Sequence, residues 1–231
     1  MKEDISCRIR RWFAPAHPCW QSSESRNRAL RFLKSEEARV SGGLCLNVGS
    51  GTSRFSVPMI NLDIFEGDRV DVSDDAQKLP FIQESFDTLV CTGVLEHLPD
   101  PLSAIFEIFR VLKPGGRVFI EAPFMQTYHT SPGDYNRWTT QGLLHLMKDF
   151  EVLELHIVAG PASALAWQIQ ETAALFFSFR SELLYKIGLR IFGWMAIPIS
   201  WLDIFLEQHP HAGHAASGFA LIAMKPMEDI A

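Results

Sequence analysis

Leu44-Cys45-Leu46-Asn47-Val48-Gly49-Ser50-Gly51-Thr52-Ser53 decides how this chain is read. Four of its first five residues are apolar, the composition of a strand covered on both faces. Gly49 and Gly51 follow at once. Glycine accepts positive φ and carries no Cβ, so a ligand can approach the backbone closely. In open α/β sheets ligands bind beyond the carboxyl ends of the strands. The turn is therefore a candidate nucleotide site, with an ordinary strand-to-helix turn as the plainer alternative. The neighbouring stretches decide between the two.

Met59-Ile60-Asn61-Leu62-Asp63-Ile64 reads as a second strand that ends in an acid. Only seven residues lie between Gly51 and Met59. A crossover normally takes at least ~10–12 residues, so the first crossover helix must be very short. Arg69 to Val72 is a candidate third strand. Ser73 to Phe81 is a polar connection ending in an apolar plug, and Phe86 to Cys91 is a fourth strand. Asp100-Pro101 opens the clearest helix, with Asp as N-cap and Pro at its first position. Leu102, Ile105, Phe106, Phe109 and Leu112 follow helical spacing and predict its buried face. Lys113-Pro114-Gly115-Gly116 should end it before a fifth strand over Arg117 to Ala122.

Thr139 or Thr140 caps a further helix that reaches about Lys148. Phe150 to Val158 and Ser217 to Lys225 read as strands. Upstream, a helix near 24–38, capped by Ser22 or Ser23, carries Ala29, Leu30, Phe32 and Leu33. Residues 1–22 read as a packed arm holding Trp12, Phe13 and Trp20. Alternating strands and helices imply an α/β chain built on a doubly wound, mainly parallel sheet. Its parts are an arm and helix (1–40), a cofactor-binding core (41–160), an apolar helical insertion (161–216), and a final antiparallel strand and tail (217–231). The insertion predicts two or three helices broken at Gly188, Gly193 and Pro198.

Apolar residues make up 47% of the chain and charged residues 21%, a globular composition. The formal net charge of -6 gives no electrostatic reason to expect a nucleic-acid partner. Cys7, Cys19, Cys45 and Cys91 show no CxxC spacing, as expected for reduced, structural thiols in a cytoplasmic protein. Met1 to Arg11 has no apolar h-region. No run reaches the ~18 uninterrupted apolar residues of a membrane span.

Three features line up: a glycine turn after strand one, Asp63 after strand two, and Asp75-Ala76 ahead of Leu79-Pro80-Phe81. Together they describe an adenosine pocket. With LNVGSG, NLDI, DAQKLPF, ESFDTLVCTGVLEHLPDP and RVLKPGGRVFIEAPF, residues 44–124 resemble the class I S-adenosylmethionine-dependent methyltransferases, specifically the type 11 group. The resemblance extends through Tyr128-His129 and Pro132 to Thr139. It implies a Rossmann-like fold and S-adenosylmethionine as cofactor. By position, Gly49, Ser50 and Gly51 would approach the methionine moiety. Asp63 and Ile64 would meet the ribose, and Asp75 and Ala76 the adenine. Thr92 and Glu96 would line the far wall. Asn47 belongs to the same cofactor set, although the family usually has an acid there. Ser53 replaces a usual glycine.

The resemblance implies methyl transfer to a small-molecule or glycan- or lipid-linked acceptor. A base is needed only for a hydroxyl or ammonium acceptor. His97 and His129 are the candidates, since each follows a strand end facing the pocket. His97 is alternatively a structural partner of the next helix. Tyr128, Asp134, Tyr135 and Arg137 would contact the acceptor. Glu96, His97 and His129 could also offer three ligands to a cation. Some relatives use a Glu-x-x-Glu-His run there, but its first position is Gly93 here, and the site is read as metal-free. His209, His211 and His214 read as a solvated loop.

Two other readings stand beside this one. A methyltransferase fold without turnover, serving as a binding module, would account for Asn47 and Ser53. A nicotinamide-dependent dehydrogenase wants G-x-G-x-x-G, but Arg54 occupies the last position. Residues 191–202 are almost wholly apolar yet too short to span a bilayer. They suit a helical cap, a homodimer interface, or a peripheral membrane contact or lid, with Arg180, Lys186 and Arg190 nearby.

Overall fold

The computed structural model describes residues 27–36, 42–51, 55–129 and 132–227. The expectations for residues 1–22, for Ser22 and Ser23 as caps, and for Ser53 lie outside these residues. The chain divides into two compact units. Among the described residues, the larger comprises 27–36, 42–51, 55–123, 129, 132–156 and 220–227; the other comprises 124–128 and 157–219.

A helix over 27–36 (α1) precedes strands β1 (Cys45–Val48), β2 (Ile60–Asp63), β3 (Val72–Ser73) and β4 (Phe86–Thr92). Helix α2 (Pro101–Val111), strand β5 (Leu112–Pro123), helix α3 (Thr140–Leu146) and strand β6 (Glu151–Ala159) follow. Helices α4 (Pro161–Phe177), α5 (Glu182–Ser200) and α6 (Asp203–Leu206) lead to the last strand, β7 (Gly218–Met224). The seven strands are ordered β3-β2-β1-β4-β5-β7-β6. The β1–β2, β2–β3, β1–β4 and β4–β5 pairs are parallel. Strand β7 is antiparallel to β5: Gly115 N–H donates to the Lys225 carbonyl, and Phe124 N–H to that of Ser217. The expected doubly wound sheet with an antiparallel final strand is therefore present.

The strand order reverses at β1. The chain runs from β1 outward to β3 and then returns to place β4 on the other side of β1. The crevice beyond the carboxyl ends of β1 and β4 is the topological switch point, where sheets of this kind bind ligands. Beneath it lies a core of Leu46, Val48, Leu62, Leu89, Val90, Ile108 and Ile120, all essentially buried. Val48 and Cys91 are register partners at the ends that face the crevice.

Several expectations need correction. The third strand is Val72–Ser73 rather than 69–72, because Asp71 turns its carboxylate back onto the Asn61 N–H at 2.8 Å. Helix α2 is capped by Asp100 as expected, its carboxylate accepting the Ser103 N–H. Its buried face, however, is Ala104, Ile105, Ile108 and Val111, while Leu102 and Phe106 are exposed. Lys113 to Gly116 do not separate helix from strand. They lie inside β5, where Gly115 and Gly116 pair with Lys225 across the sheet. A side chain at Gly116 would press on the Lys113 and Asp87 carbonyls, so the close backbone packing requires glycine there. Between β1 and β2, no helix lies in the described residues 55–59.

In the second unit, α4 and α5 form an antiparallel hairpin. Helix α5 runs through Gly188, Gly193 and Pro198 without a break. The actual breaks are at 178–181 and 201–202. Gly188 is tolerated inside the helix because it lets Ala174 of α4 pack closely; a Cβ there would sit 3.1 Å from the Ala174 Cα. Gln170 donates to the Leu189 carbonyl, Tyr185 donates to Glu171, and Phe177 stacks on Phe192. The buried Asp203 carboxylate accepts the Ala162 and Ser163 N–H groups at 2.8 and 2.9 Å, capping α4 from a distant point in sequence. Residues 182–206, α5 and α6 with the short turn between them, are long and apolar enough by length and composition to cross a membrane. Counting uninterrupted apolar runs misses this.

Candidate active site

The glycine turn has the backbone its sequence demands. Gly49 and Gly51 adopt φ of +67° and +54°, the left-handed region. A side chain on Gly49 would collide with Val94, which follows β4. Among the described residues, a side chain on Gly51 would meet nothing within 4 Å. Ser50 N–H donates to the Leu62 carbonyl and ties the turn to β2. Ser50 Oγ is buried and has no hydrogen-bond partner among the described residues. An orphaned hydroxyl beside an unobstructed glycine backbone suits a polar ligand that completes its bonding.

Asp63 closes the turn from the end of β2. One carboxylate oxygen accepts the Gly51 N–H at 2.7 Å and the other accepts the Phe65 N–H at 3.0 Å. Each oxygen keeps a lone pair for a ligand hydroxyl. Ile64 and Phe65 beside it are exposed. Asn47 is fully buried, and its amide donates to Asn61 at 3.1 Å. Asn61 in turn donates to Asp71 at 2.8 Å, so its carbonyl oxygen is left facing Asn47. A donor is therefore required at 47, which explains an amide where the resembling sequences carry an acid.

Asp75 accepts from the Gln77 backbone and side chain, forming a tight turn before Leu79. Ala76 and Leu79 are buried. The Leu79-Pro80-Phe81 segment is held by two residues that sequence reasoning missed. Glu107 accepts the Leu79 N–H, and Arg110 donates to the Leu79 and Phe81 carbonyls. Their i,i+3 spacing on α2 was the available signal. The Arg110 guanidinium draws the Glu107 carboxyl below its ordinary range against the opposing effect of burial.

Beyond β4 the chain turns at Gly93 (φ +65°) into a 3-10 turn, Leu95–His97. Thr92 is the last residue of β4 and is half-buried. Glu96 is buried, and its carbonyl accepts the Tyr135 and Asn136 N–H groups. Asn136 donates to the Leu98 carbonyl. Segment 133–136 is thus pinned onto the 95–98 turn. Gly133 accepts from His97 Nδ1, and this unpredicted contact fixes the tautomer because a carbonyl only accepts. The His97 and His129 rings meet edge to face at 5.3 Å. His129 Nε2 and His97 Nε2 lie 3.8 and 3.9 Å from Glu96 Oε1. Asp134 accepts the His129 N–H at 2.8 Å and pairs with Arg137 through both oxygens. Burial alone would raise the Asp134 carboxyl. The Arg137 fork, the His129 amide and the nearby positive charge outweigh burial and hold it below the ordinary carboxylate range.

The larger unit therefore gathers Glu96, His97, His129, Asp134 and Arg137 into one cluster. Tyr135 is exposed at its edge. Tyr128 is also exposed and belongs to the other unit. Cys91 is a buried free thiol. Burial, then the Glu96 charge, pushes the Cys91 thiol far above its usual range and leaves it inert. His209, His211 and His214 are exposed on a turn of the second unit. A cavity of about 400 Å³ opens at the amino ends of β1, β2 and β4, lined by Leu44, Cys45, Ile60 and Thr88, away from the glycine turn.

Residues 56–120 match the methyltransferase-domain family Methyltransf_11. The fold is the class I methyltransferase fold, and the family match is confined to residues 56–120. A tRNA U34 carboxymethyltransferase of Campylobacter curvus is 32% identical over 93 residues, 33% of this chain and 31% of that protein. A ubiquinone biosynthesis O-methyltransferase of Pseudomonas fluorescens is 50% identical over 44 residues, 19% of this chain and 18% of that protein. The chain thus spans less than a third of the length of the curated relatives it matches. A solved Burkholderia thailandensis 1,6-didemethyltoxoflavin-N1-methyltransferase, holding 1,6-didemethyltoxoflavin and S-adenosylhomocysteine, is 16% identical with a TM-score of 0.53. That match covers 96% of this chain and 86% of the other, and it shows a shared fold. The matched region of the methyltransferase domain runs from just past the glycine turn to the middle of β5.

Proposed function

We propose that the chain is an S-adenosylmethionine-dependent methyltransferase whose acceptor is a small or lipid-linked molecule drawn from a membrane surface. The observation that carries the cofactor half is the turn at the sheet's switch point. There, among the described residues, nothing lies against Gly51, Ser50 Oγ lacks a partner and Asp63 keeps free lone pairs. Gly49, Ser50 and Gly51 would hold the methionine end, and Asp63 the ribose hydroxyls. Asp75 and Ala76 would border the adenine. When bound, S-adenosylmethionine supplies a methyl group already activated on a sulfonium. The protein's remaining task is to align the acceptor and manage its proton. His129 Nε2 would take a proton from an acceptor hydroxyl, and the Glu96 carboxylate beside it would stabilise the resulting imidazolium. Arg137 keeps Asp134 ionised, and Asp134 orients His129 through its backbone.

The acceptor half rests on the α4–α5 hairpin. Residues 191–202 carry no charge, and Ile191, Trp194, Met195, Trp201 and Leu202 are exposed. Only 17% of the most apolar window of 182–206 is buried. Arg180, Lys186 and Arg190 sit on the same hairpin, suited to anionic headgroups above an apolar layer. A test supplies labelled S-adenosylmethionine with a membrane-lipid extract or with an aqueous metabolite pool. It also floats the protein with anionic liposomes. Label in the lipid phase, reduced by His129→Ala, and a floating protein are expected. Label confined to the aqueous pool, with protein left at the bottom of the gradient, would contradict the lipid-borne acceptor while sparing the cofactor assignment.

A further inference from the structure

The turn that joins α4 to α5 is held by two serines. The buried Ser178 hydroxyl donates to the Leu175 carbonyl at 2.7 Å and accepts the Arg180 N–H at 3.3 Å. The Ser178 carbonyl accepts the Ser181 N–H at 2.8 Å. Ser181 then caps α5, its hydroxyl accepting the Leu184 N–H. Between the two serines, Phe179 and Arg180 adopt φ of +47° and +67°. Left-handed backbone costs a residue with a Cβ roughly 1–2 kcal/mol, and a bulky side chain there is an outlier.

The strained turn leaves its large apolar side chains in the open. Phe179 is 80% exposed and Phe176 75%, with Leu175 and Leu183 beside them at 62% and 67%. Glycine or asparagine would fill a left-handed position without an aromatic ring in water. Phenylalanine at 179 therefore costs free energy in its backbone and again in its solvation, and neither cost is recovered by packing within the fold. Cations flank the rings. Arg180 is exposed, and Lys186 stands one turn into α5, 3.1 Å from Glu182. Aromatic rings beside exposed cations match the boundary of an anionic leaflet, where rings enter the acyl layer and cations meet phosphates.

We infer that the α4–α5 turn is a membrane wedge, with Phe176 and Phe179 entering the acyl layer of an anionic leaflet and Arg180 staying at its phosphates. This contact rests on the membrane reading proposed for the chain and is separate from residues 191–202. It lies about 18 Å away, the length of α5 from Glu182 to Trp194. Two contacts that far apart on one hairpin hold it along the leaflet. A hairpin standing across the hydrocarbon layer would carry the Glu171–Tyr185 hydrogen bond and Arg190 to its middle, where charge is expensive.

The test uses the full chain and vesicles of equal parts phosphatidylcholine and phosphatidylglycerol, read by co-sedimentation. Phe179→Gly should weaken partitioning about tenfold and Phe176→Ser/Phe179→Ser about a hundredfold. The melting temperature of Phe179→Gly should stay at or above wild type, because glycine relieves the left-handed backbone. Trp194→Ser/Trp201→Ser probes residues 191–202 separately, and circular dichroism checks that each variant folds. If wild type binds and both folded tip variants bind equally well, the wedge is overturned while the proposed membrane reading stands. A wild type that stays in solution would overturn both. A wild-type dimer that the tip variants lose, with vesicle binding unchanged, would assign the patch to a second copy and overturn the wedge.

Discussion

The turns beyond β1 and β4 and the α4–α5 hairpin use their residues in opposite ways. In the turns, glycines hold left-handed backbone, and polar groups are buried with lone pairs or a whole oxygen left over. In the hairpin, glycine and alanine bring two helices together, and apart from the buried Trp167 most of the large apolar side chains are left outside. Folding alone rewards neither arrangement, since unpartnered buried oxygens and exposed aromatics both cost free energy. The proposed function gives each surplus a different ligand: polar groups for a cofactor and its reacting acceptor, apolar surface for a lipid phase. Residues that carry function are those that packing leaves unsatisfied.

The contrast can be broken from either side. Gly49→Ala should have the largest effect. It forces a Cβ into left-handed backbone and against Val94, together costing about 2–4 kcal/mol of stability in urea titration. It should also abolish binding of S-adenosylhomocysteine. A variant with unchanged stability would show that the turn tolerates side chains and is no close-approach site.

Asp203→Ala sharpens the contrast from the other side. It removes two charge-assisted bonds that cap α4 and should destabilise the protein by about 2 kcal/mol. Because Asp203 and the glycine turn belong to different units, affinity for S-adenosylhomocysteine in the folded variant should stay near wild type. A parallel loss of cofactor affinity would show that the two units are energetically coupled.

Much of the larger unit was legible in the sequence because its signals are local. Strands β1 and β4 are short apolar runs, Asp100-Pro101 caps α2, and Thr139 caps α3. What was misread depends on partners far away in the chain. Lys113 to Gly116 look like a helix stop, but Lys225 draws them into β5. The α2 stripe was placed one step around the helix, because Leu102 and Phe106 are as apolar as the residues that are buried. Helix α5 passes through two glycines and a proline because Ala174 rewards close approach at Gly188 and the proline falls near the helix end. At the site, the glycine turn and Asp63 could be read from the sequence, since one turn and one strand end specify them. The Gly133 carbonyl that orients His97 could not, because 36 residues separate the two.

In the proposed function the turn after β1, closed by Asp63, holds S-adenosylmethionine. Titration calorimetry of S-adenosylhomocysteine into the wild-type chain and Asp63→Ala tests it most directly. Hydrogen bonds to a charged group are worth ~1.5–3 kcal/mol, so the variant should bind roughly 10- to 150-fold more weakly. Equal affinity in the two proteins, or no binding by the wild type, would contradict the account.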